Sequence, residues 1–97
     1  MKLSEAILKG CEGTRQCFEA FCSGDNYCCA LGAAFYGLEG RIGTGMNKVI
    51  ERRLLEEWHI LKKDDDRSEL YLQIIARNDQ EMESRESIAA WLASIGY

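Results

Sequence analysis

The sequence predicts an α+β fold that is mostly helical, with about five helices and one β-hairpin in the N-terminal half. Apolar residues recur at helical spacing through most of the chain. A stretch that starts at residue 16 alternates with a period of two and ends in turn residues. The chain has no proline, which favours helices. With 97 residues and 46% hydrophobic content, we expect one domain over residues 1–97.

The first helix is predicted to begin at Ser4, whose hydroxyl can cap it. Leu3 and Leu8 are placed to pack against each other across its first turn. Two glycines further along the chain weaken the helix and favour an end near Glu12.

The hairpin is predicted next. From Gln16 the side chains alternate between two faces, with Phe18, Ala20 and Cys22 on one and Cys17, Glu19 and Phe21 on the other. Residues 23–26 supply the turn, and residues 27–29 return as a second strand. Because two strands alone are marginally stable in water, a helix must pack on them.

The helix predicted from Ala30 to Leu38 is small and apolar almost all round, which is typical of a buried element. The glycines at positions 37, 40, 43 and 45 indicate a flexible connection after it. The connection is rich in glycine, as phosphate-binding loops are, but Met46 and Asn47 stand where such a loop requires Lys and Ser or Thr. We therefore expect a plain interhelical loop.

Two amphipathic helices follow this connection. The third helix is predicted to be capped by Thr44 or Asn47 and to run to about Leu61; its inward residues are Val49, Ile50, Leu54, Trp58 and Leu61. A charged loop at residues 62–66 separates it from a fourth helix, capped by Ser68 and ending near residues 78–79. The inward face of the fourth helix is formed by Leu70, Tyr71, Ile74 and Ile75.

The fifth helix carries the clearest apolar stripe in the chain. Ser84 caps it, and Gly96 is a natural stop. The residues of the stripe are Ile88, Trp91, Leu92 and Ile95.

All five cysteines lie between Cys11 and Cys29, with the spacing C-x5-C-x4-C-x5-C-C. Structural zinc sites use ligand pairs two to four residues apart. That spacing is missing here and the chain has one histidine, so we expect no metal and no cofactor. Cys22 and Cys28 flank the predicted turn, where they can face each other as a metal-binding pair, a disulfide or packed side chains. The odd cysteine count and the N-terminal sequence predict reduced thiols and a cytoplasmic protein.

A catalytic thiol is the sharper hypothesis. Cys28 or Cys29 stands where a strand gives way to a helix, whose N-terminus favours the thiolate. His59, then Asn78 or Asp79, follow in the order that thiol hydrolases and acyl transferases use. The alternative is that Cys29 fills a tight turn, His59 is a partly buried helix residue, and Asn78 ends a helix in the left-handed conformation.

The charge pattern disfavours nucleic acid and the hydropathy pattern predicts no membrane span. The net charge is −4, and no window is basic. No apolar run approaches about 18 residues. The last helix resembles the scaffold half of a helix-turn-helix, but no recognition helix follows it. If it faced DNA it would offer only Arg85, beside Glu83 and Glu86.

Segments at both ends of the chain resemble a family of small bacterial and phage proteins of unknown function. They are Phe21-x-x-Gly24-x-x-x-Cys28-Cys29-Ala30-Leu31-Gly32-Ala33-Ala34, Ile74-Ile75-Ala76-Arg77-Asn78-Asp79 and Ser84-Arg85-Glu86-x-Ile88-Ala89-x-Trp91-Leu92. The resemblance does not extend over residues 40–66 and implies no activity. It singles out Cys29, Asn78 and Asp79.

These observations predict a small cytoplasmic accessory protein, linked to phage by the resemblance, that acts through contacts with an unidentified protein partner. A homodimer is a further expectation, because Trp58, Trp91 and the other aromatic residues exceed what so small a core easily buries. The first alternative is a thiol-dependent enzyme or redox module that uses Cys28 or Cys29. The second is a regulator that contacts DNA.

Overall fold

The computed structural model describes residues 1–60 and 68–97. The described chain is α+β and mostly helical, as predicted. Its helices are α1 (Leu3–Cys11), α2 (Ala30–Glu39), α3 (Asn47–Trp58), α4 (Ser68–Asp79) and α5 (Arg85–Ser94). Its strands are β1 (Arg15–Gln16), β2 (Cys22–Ser23) and β3 (Tyr27–Cys28). None of the described helices is long and apolar enough to cross a membrane.

The closest packing in the fold is between α1 and α2. A Cβ atom added to Gly10 would lie 1.8 Å from the Ala33 carbonyl oxygen, and one added to Gly37 would lie 2.1 Å from the Ala6 carbonyl oxygen. These contacts join the end of α1 to the start of α2 and the middle of α1 to the end of α2. The two helices are therefore antiparallel, with backbones in contact. Gly37 lies inside α2, within the helix predicted from Ala30 to Leu38, and not in the glycine-rich connection with which it was also grouped; a larger residue would not fit there.

The remaining elements pack around this pair. α5 lies against α1, while α3, α4 and β3 lie against α2. Residues from all five helices form one buried apolar cluster, whose largest fully buried apolar members are Leu3, Ile7, Leu31, Phe35, Ile50, Leu54, Ile60, Ile74, Ile88 and Leu92. The predicted burial of α2 is confirmed.

The predicted hairpin is present, and a third strand joins it. β2 and β3 are antiparallel, with Cys22 opposite Cys28, and Gly24 takes a left-handed conformation in the turn between them. β1 pairs with β3 in parallel, so the strand order is β1-β3-β2. The long alternating strand predicted from Gln16 is wrong. Glu19 has a φ of 65°, which breaks an extended chain, and residues 17–21 are irregular.

Of the serine caps predicted for α5 and α1, the first is present and the second is not. Ser84 caps α5, because its hydroxyl oxygen accepts the Ser87 N–H at 3.1 Å. Ser4 does not cap α1; it is buried inside the helix, and the Lys2 N–H donates to the Glu5 carboxylate instead. Leu8, expected to pack on Leu3, is exposed.

Two apolar residues predicted to face inward are exposed. Val49 lies on the outer side of α3, and Ile95 follows the end of α5. Neither Thr44 nor Asn47 caps α3: Met46 is the N-cap residue, without a side-chain hydrogen bond, and the helix begins at Asn47. The Thr44 hydroxyl instead donates to the Gly24 carbonyl oxygen at 2.8 Å and connects the loop to the hairpin. Leu61 and the charged loop at residues 62–66 lie outside the described residues.

The α1–α2 contact predicts whether Gly10→Ala raises or lowers the free energy of unfolding. In an open helix Gly10→Ala would stabilise by about 1 kcal/mol. Here the new methyl group meets the α2 backbone, so we expect the free energy of unfolding to fall by about 1–3 kcal/mol, measured by urea denaturation. Lys9→Ala, at the exposed neighbouring position, is the control and should change it by less than about 0.5 kcal/mol. A stabilised Gly10→Ala variant would contradict the backbone contact.

Candidate functional site

Four cysteines meet where β3 leads into α2, and we call Cys17, Cys22, Cys28 and Cys29 the thiol cluster. The packing of α2 on the hairpin brings them together: a Cβ atom on Gly32 would lie 1.9 Å from the Phe21 carbonyl oxygen and 2.9 Å from the Cys22 sulfur. The end of α4 brings Asn78 to the same place. All four cysteines are buried, and all five in the chain are free thiols.

Asn78 joins the elements around the cluster. Its Oδ1 accepts hydrogen bonds from the Ala30 N–H at 3.1 Å and from the Gln16 side-chain amide at 2.9 Å. Its Nδ2 donates to the Cys17 carbonyl oxygen at 3.0 Å and to the Asp79 carboxylate at 2.7 Å. The side chain is fully buried, and each of its polar atoms has two partners. Asn78 lies within α4 and not in the left-handed conformation, so that interpretation is wrong.

Arg85 is a second buried polar side chain that hydrogen-bonds to other elements, whereas the sequence pattern placed it on the surface. Its guanidinium was expected on the surface of α5, yet the residue is 5% exposed. It donates to the Thr14 carbonyl and hydroxyl oxygens at 2.7 Å each, and to the Cys28 carbonyl oxygen at 3.2 Å. In the described ranges, no carboxylate lies within ion-pair distance of it. One signal was available: a cation in the first turn of a helix opposes the helix dipole and needs another reason to be there.

Cys29 stands at the position preceding α2, where a low thiol pKa was expected. Its sulfur accepts the Gly32 N–H at 3.5 Å, which favours the thiolate. Burial has the larger effect and raises the pKa of Cys29 to about 12. At neutral pH Cys29 is therefore a protonated helix cap rather than a nucleophile.

Cys22 and Cys28 have opposite properties, although they face each other. Their sulfur atoms lie 2.8 Å apart. The contact with the Cys28 thiol lowers the pKa of Cys22 to about 7, against the effect of burial, and the Gly43 backbone contributes in the same direction. The same contact and burial raise the pKa of Cys28. Cys22, which was not among the predicted catalytic residues, is thus the one cysteine of the cluster whose pKa is lowered.

The other two cysteines have raised pKa values. Cys17 donates to the Ala20 carbonyl oxygen at 3.5 Å, and burial raises its pKa. Cys11, half-buried at the end of α1, also has its pKa raised by burial. Both remain protonated at neutral pH.

His59 is not brought to the thiol cluster. It follows α3 in a left-handed conformation, with an exposed side chain. Its neighbour Trp58 donates to the Met1 carbonyl oxygen at 3.1 Å, at the start of α1. That end of α1 lies beside the end of α2, because the two helices are antiparallel. Cys29 is at the opposite end of the ten-residue α2, a length of about 15 Å.

The predicted site residues thus divide into two groups. Cys28, Cys29, Asn78 and Asp79 lie together, and His59 lies elsewhere. The thiols have no imidazole to relay protons, and Asn78 already uses its hydrogen-bonding capacity in the fold. In residues 1–60 and 68–97, no group of three or more His, Cys, Asp or Glu side chains is arranged to hold a metal ion.

Comparison with protein-family models, with curated proteins and with solved structures finds no match to this chain. The resemblance to small bacterial and phage proteins therefore remains a prediction.

The Asn78 network predicts a large loss of stability on truncation. Asn78→Ala leaves the buried Ala30 N–H and Cys17 carbonyl without this partner, so the free energy of unfolding should fall by about 3 kcal/mol in urea denaturation. Gln80→Ala, which removes an exposed amide next to α4, is the control and should have little effect. Equal changes in the free energy of unfolding for the two variants would show that the Asn78 hydrogen bonds do not stabilise the fold.

Proposed function

We propose that the protein is a small interaction protein that binds a segment of another protein in the groove between α3, α4 and the loop before β2. The observation that carries this proposal is the groove itself, a cavity of about 280 Å³. Its lining residues are Glu19, Ala20, Phe21, Asn47, Glu51, Tyr71, Leu72, Ile75 and Asp79.

The floor of the groove is apolar and well supported. Phe21 and Tyr71 are both buried and meet edge to face, with ring centroids 6.5 Å apart. Leu72 stands beside them and is 56% exposed, whereas Ile74 on the same helix is fully buried. Large apolar side chains in a concave site are a usual feature of protein-binding surfaces.

The charged residues that the described part of the chain places around the groove are all acidic. Glu19, Glu51 and Asp79 supply carboxylates, and no Lys or Arg of residues 1–60 and 68–97 is among its lining residues. Burial, and then the nearby Glu51 and Asp79 carboxylates, raise the pKa of Tyr71 to about 12. An apolar floor with an acidic rim favours a partner segment that carries an apolar anchor next to Lys or Arg.

The same charges disfavour a second copy of this chain as the occupant. A two-fold interface centred on the groove would bring identical carboxylates together. The aromatic argument for a homodimer also loses its basis, because Trp58 is buried and the Trp91 ring stacks under the Arg77 guanidinium at 3.9 Å.

We keep the cytoplasmic location and the phage link as proposals; the free state of all five cysteines supports the location. The alternative of a thiol hydrolase needs His59 beside Cys28 or Cys29, with Asn78 or Asp79 to orient the imidazole. His59 lies away from these thiols, so the geometry does not support this alternative. The structure also gives no support to a DNA-contacting role for α5, because Arg85, the basic residue expected to face DNA, is buried.

The test is selection from a displayed library of random short peptides against the purified protein. We expect enriched peptides to combine apolar residues with Lys or Arg. Leu72→Lys should weaken their binding at least about tenfold, measured by calorimetry. Leu8→Lys is the matched control: Leu8 is 46% exposed on α1, outside the groove, and its replacement should leave binding unchanged.

Three outcomes would contradict the proposal. The first is no enrichment, or enrichment of acidic peptides. The second is equal weakening by Leu72→Lys and Leu8→Lys. The third is a stable dimer in sedimentation equilibrium that Leu72→Lys dissociates, which would make a second copy the occupant.

A further inference from the structure

We propose that Cys22 and Cys28 form a reversible thiol–disulfide pair, which a small hydroperoxide oxidises while the chain remains folded. This redox activity is independent of the groove and requires neither a metal nor His59. Cys22 is the attacking thiol and Cys28 the resolving thiol.

The geometry of the hairpin carries the proposal. Cys22 and Cys28 are directly opposite residues of the antiparallel β2–β3 pair. Opposite residues in such a pair have Cα atoms about 4.5–5.5 Å apart, inside the range that disulfides occupy. The two sulfur atoms already face each other at 2.8 Å. The bond can therefore form with small side-chain adjustments and without moving the strands.

The surroundings distinguish the attacking thiol from the resolving one. The Cys28 sulfur beside Cys22, and then the Gly43 backbone, favour the Cys22 thiolate and lower the pKa of Cys22 to about 7, although burial acts in the opposite direction. Cys22 retains 7% exposure, whereas Cys28 has none. A small oxidant such as hydrogen peroxide is therefore expected to react at Cys22 first.

The reaction balances in two steps. In the first, the Cys22 thiolate attacks one peroxide oxygen, the O–O bond breaks, and the leaving hydroxide takes a proton to become water; Cys22 is now a sulfenic acid. In the second, the Cys28 sulfur attacks the Cys22 sulfur, the S–O bond breaks, and the hydroxide leaves with the Cys28 proton as a second water. Two thiols are oxidised by two electrons in total, and one peroxide is reduced.

The second step is helped by the loss of the Cys22 charge. Contact with the Cys22 thiolate is the main reason that the pKa of Cys28 is raised. Once Cys22 has become a neutral sulfenic acid, that obstacle to ionisation of Cys28 is removed. The neighbouring Cys29 is held away from this role because it faces the N-terminus of α2, where its sulfur accepts the Gly32 N–H.

The test begins with the unaltered, reduced protein. After treatment with hydrogen peroxide under native conditions, two of the five thiols should be lost, and dithiothreitol should restore them. Free thiols are then blocked and the chain is cleaved after Glu and before Asp, which separates residues 20–24, containing Cys22, from residues 25–39, containing Cys28 and Cys29. We expect mass spectrometry to find these two fragments linked.

Variants identify the pair. Cys29→Ala and Cys17→Ala should keep the link, whereas Cys28→Ala should abolish it and drive Cys22 to the sulfinic acid, because no resolving thiol remains. Circular dichroism checks that each variant is folded. If Cys28→Ala does not fold, the link in Cys29→Ala still decides between the two adjacent cysteines.

The pH dependence gives a further readout. For a thiol with a pKa near 7, the oxidation rate should rise about tenfold between about pH 6 and about pH 8; an ordinary thiol would show about a hundredfold rise. Retention of all five thiols, a link through Cys17 or Cys29, or a link that forms only in denaturant would overturn the proposal.

Discussion

The small side chains of α2 are the constraint on which the rest of the structure depends. Gly37 lets the Ala6 backbone of α1 touch α2, and Gly32 lets the Phe21 backbone touch α2 at its other end. A side chain at either position would push a neighbouring element away. With backbones this close, α2 can lie at the centre of a very small domain and be covered by helices on one side and by the sheet on another.

This packing determines the chemistry of the thiol cluster. Because α2 packs closely on the hairpin, Cys29 is buried. Burial raises the pKa of Cys29 by more than the backbone N–H groups at the N-terminus of α2 lower it. Cys22 is also buried, but it is opposite a thiol donor and near a backbone N–H, so its charge has partners. Two cysteines seven positions apart thus have pKa values shifted in opposite directions, because the partners of Cys22 outweigh burial and those of Cys29 do not.

Buried polar side chains hold the hairpin, α4 and α5 in one arrangement. Asn78 reaches Ala30 and Cys17, and Arg85 reaches Thr14 and Cys28. In the described part of the chain no buried side-chain nitrogen or oxygen lacks a partner. A buried guanidinium without a carboxylate is costly unless its hydrogen bonds are made, so these contacts specify one packing of the last helix rather than adding net stability.

Local features of the sequence determined the helices, the turn at Gly24, the Ser84 cap and the buried character of α2. Each depends on residues a few positions apart, which periodicity and capping rules describe directly. Only the tertiary structure decided that Val49 and Ile95 are exposed and that Asn78 and Arg85 are buried and hydrogen-bonded. It also decided that the pKa is lowered at Cys22 and raised at Cys29. Periodicity identifies an apolar face but not whether another element covers it. Apart from Asp79, the partners of Asn78 and Arg85 lie 48 to 71 residues away in sequence. Burial, which raises the thiol pKa values, exists only after those distant contacts form.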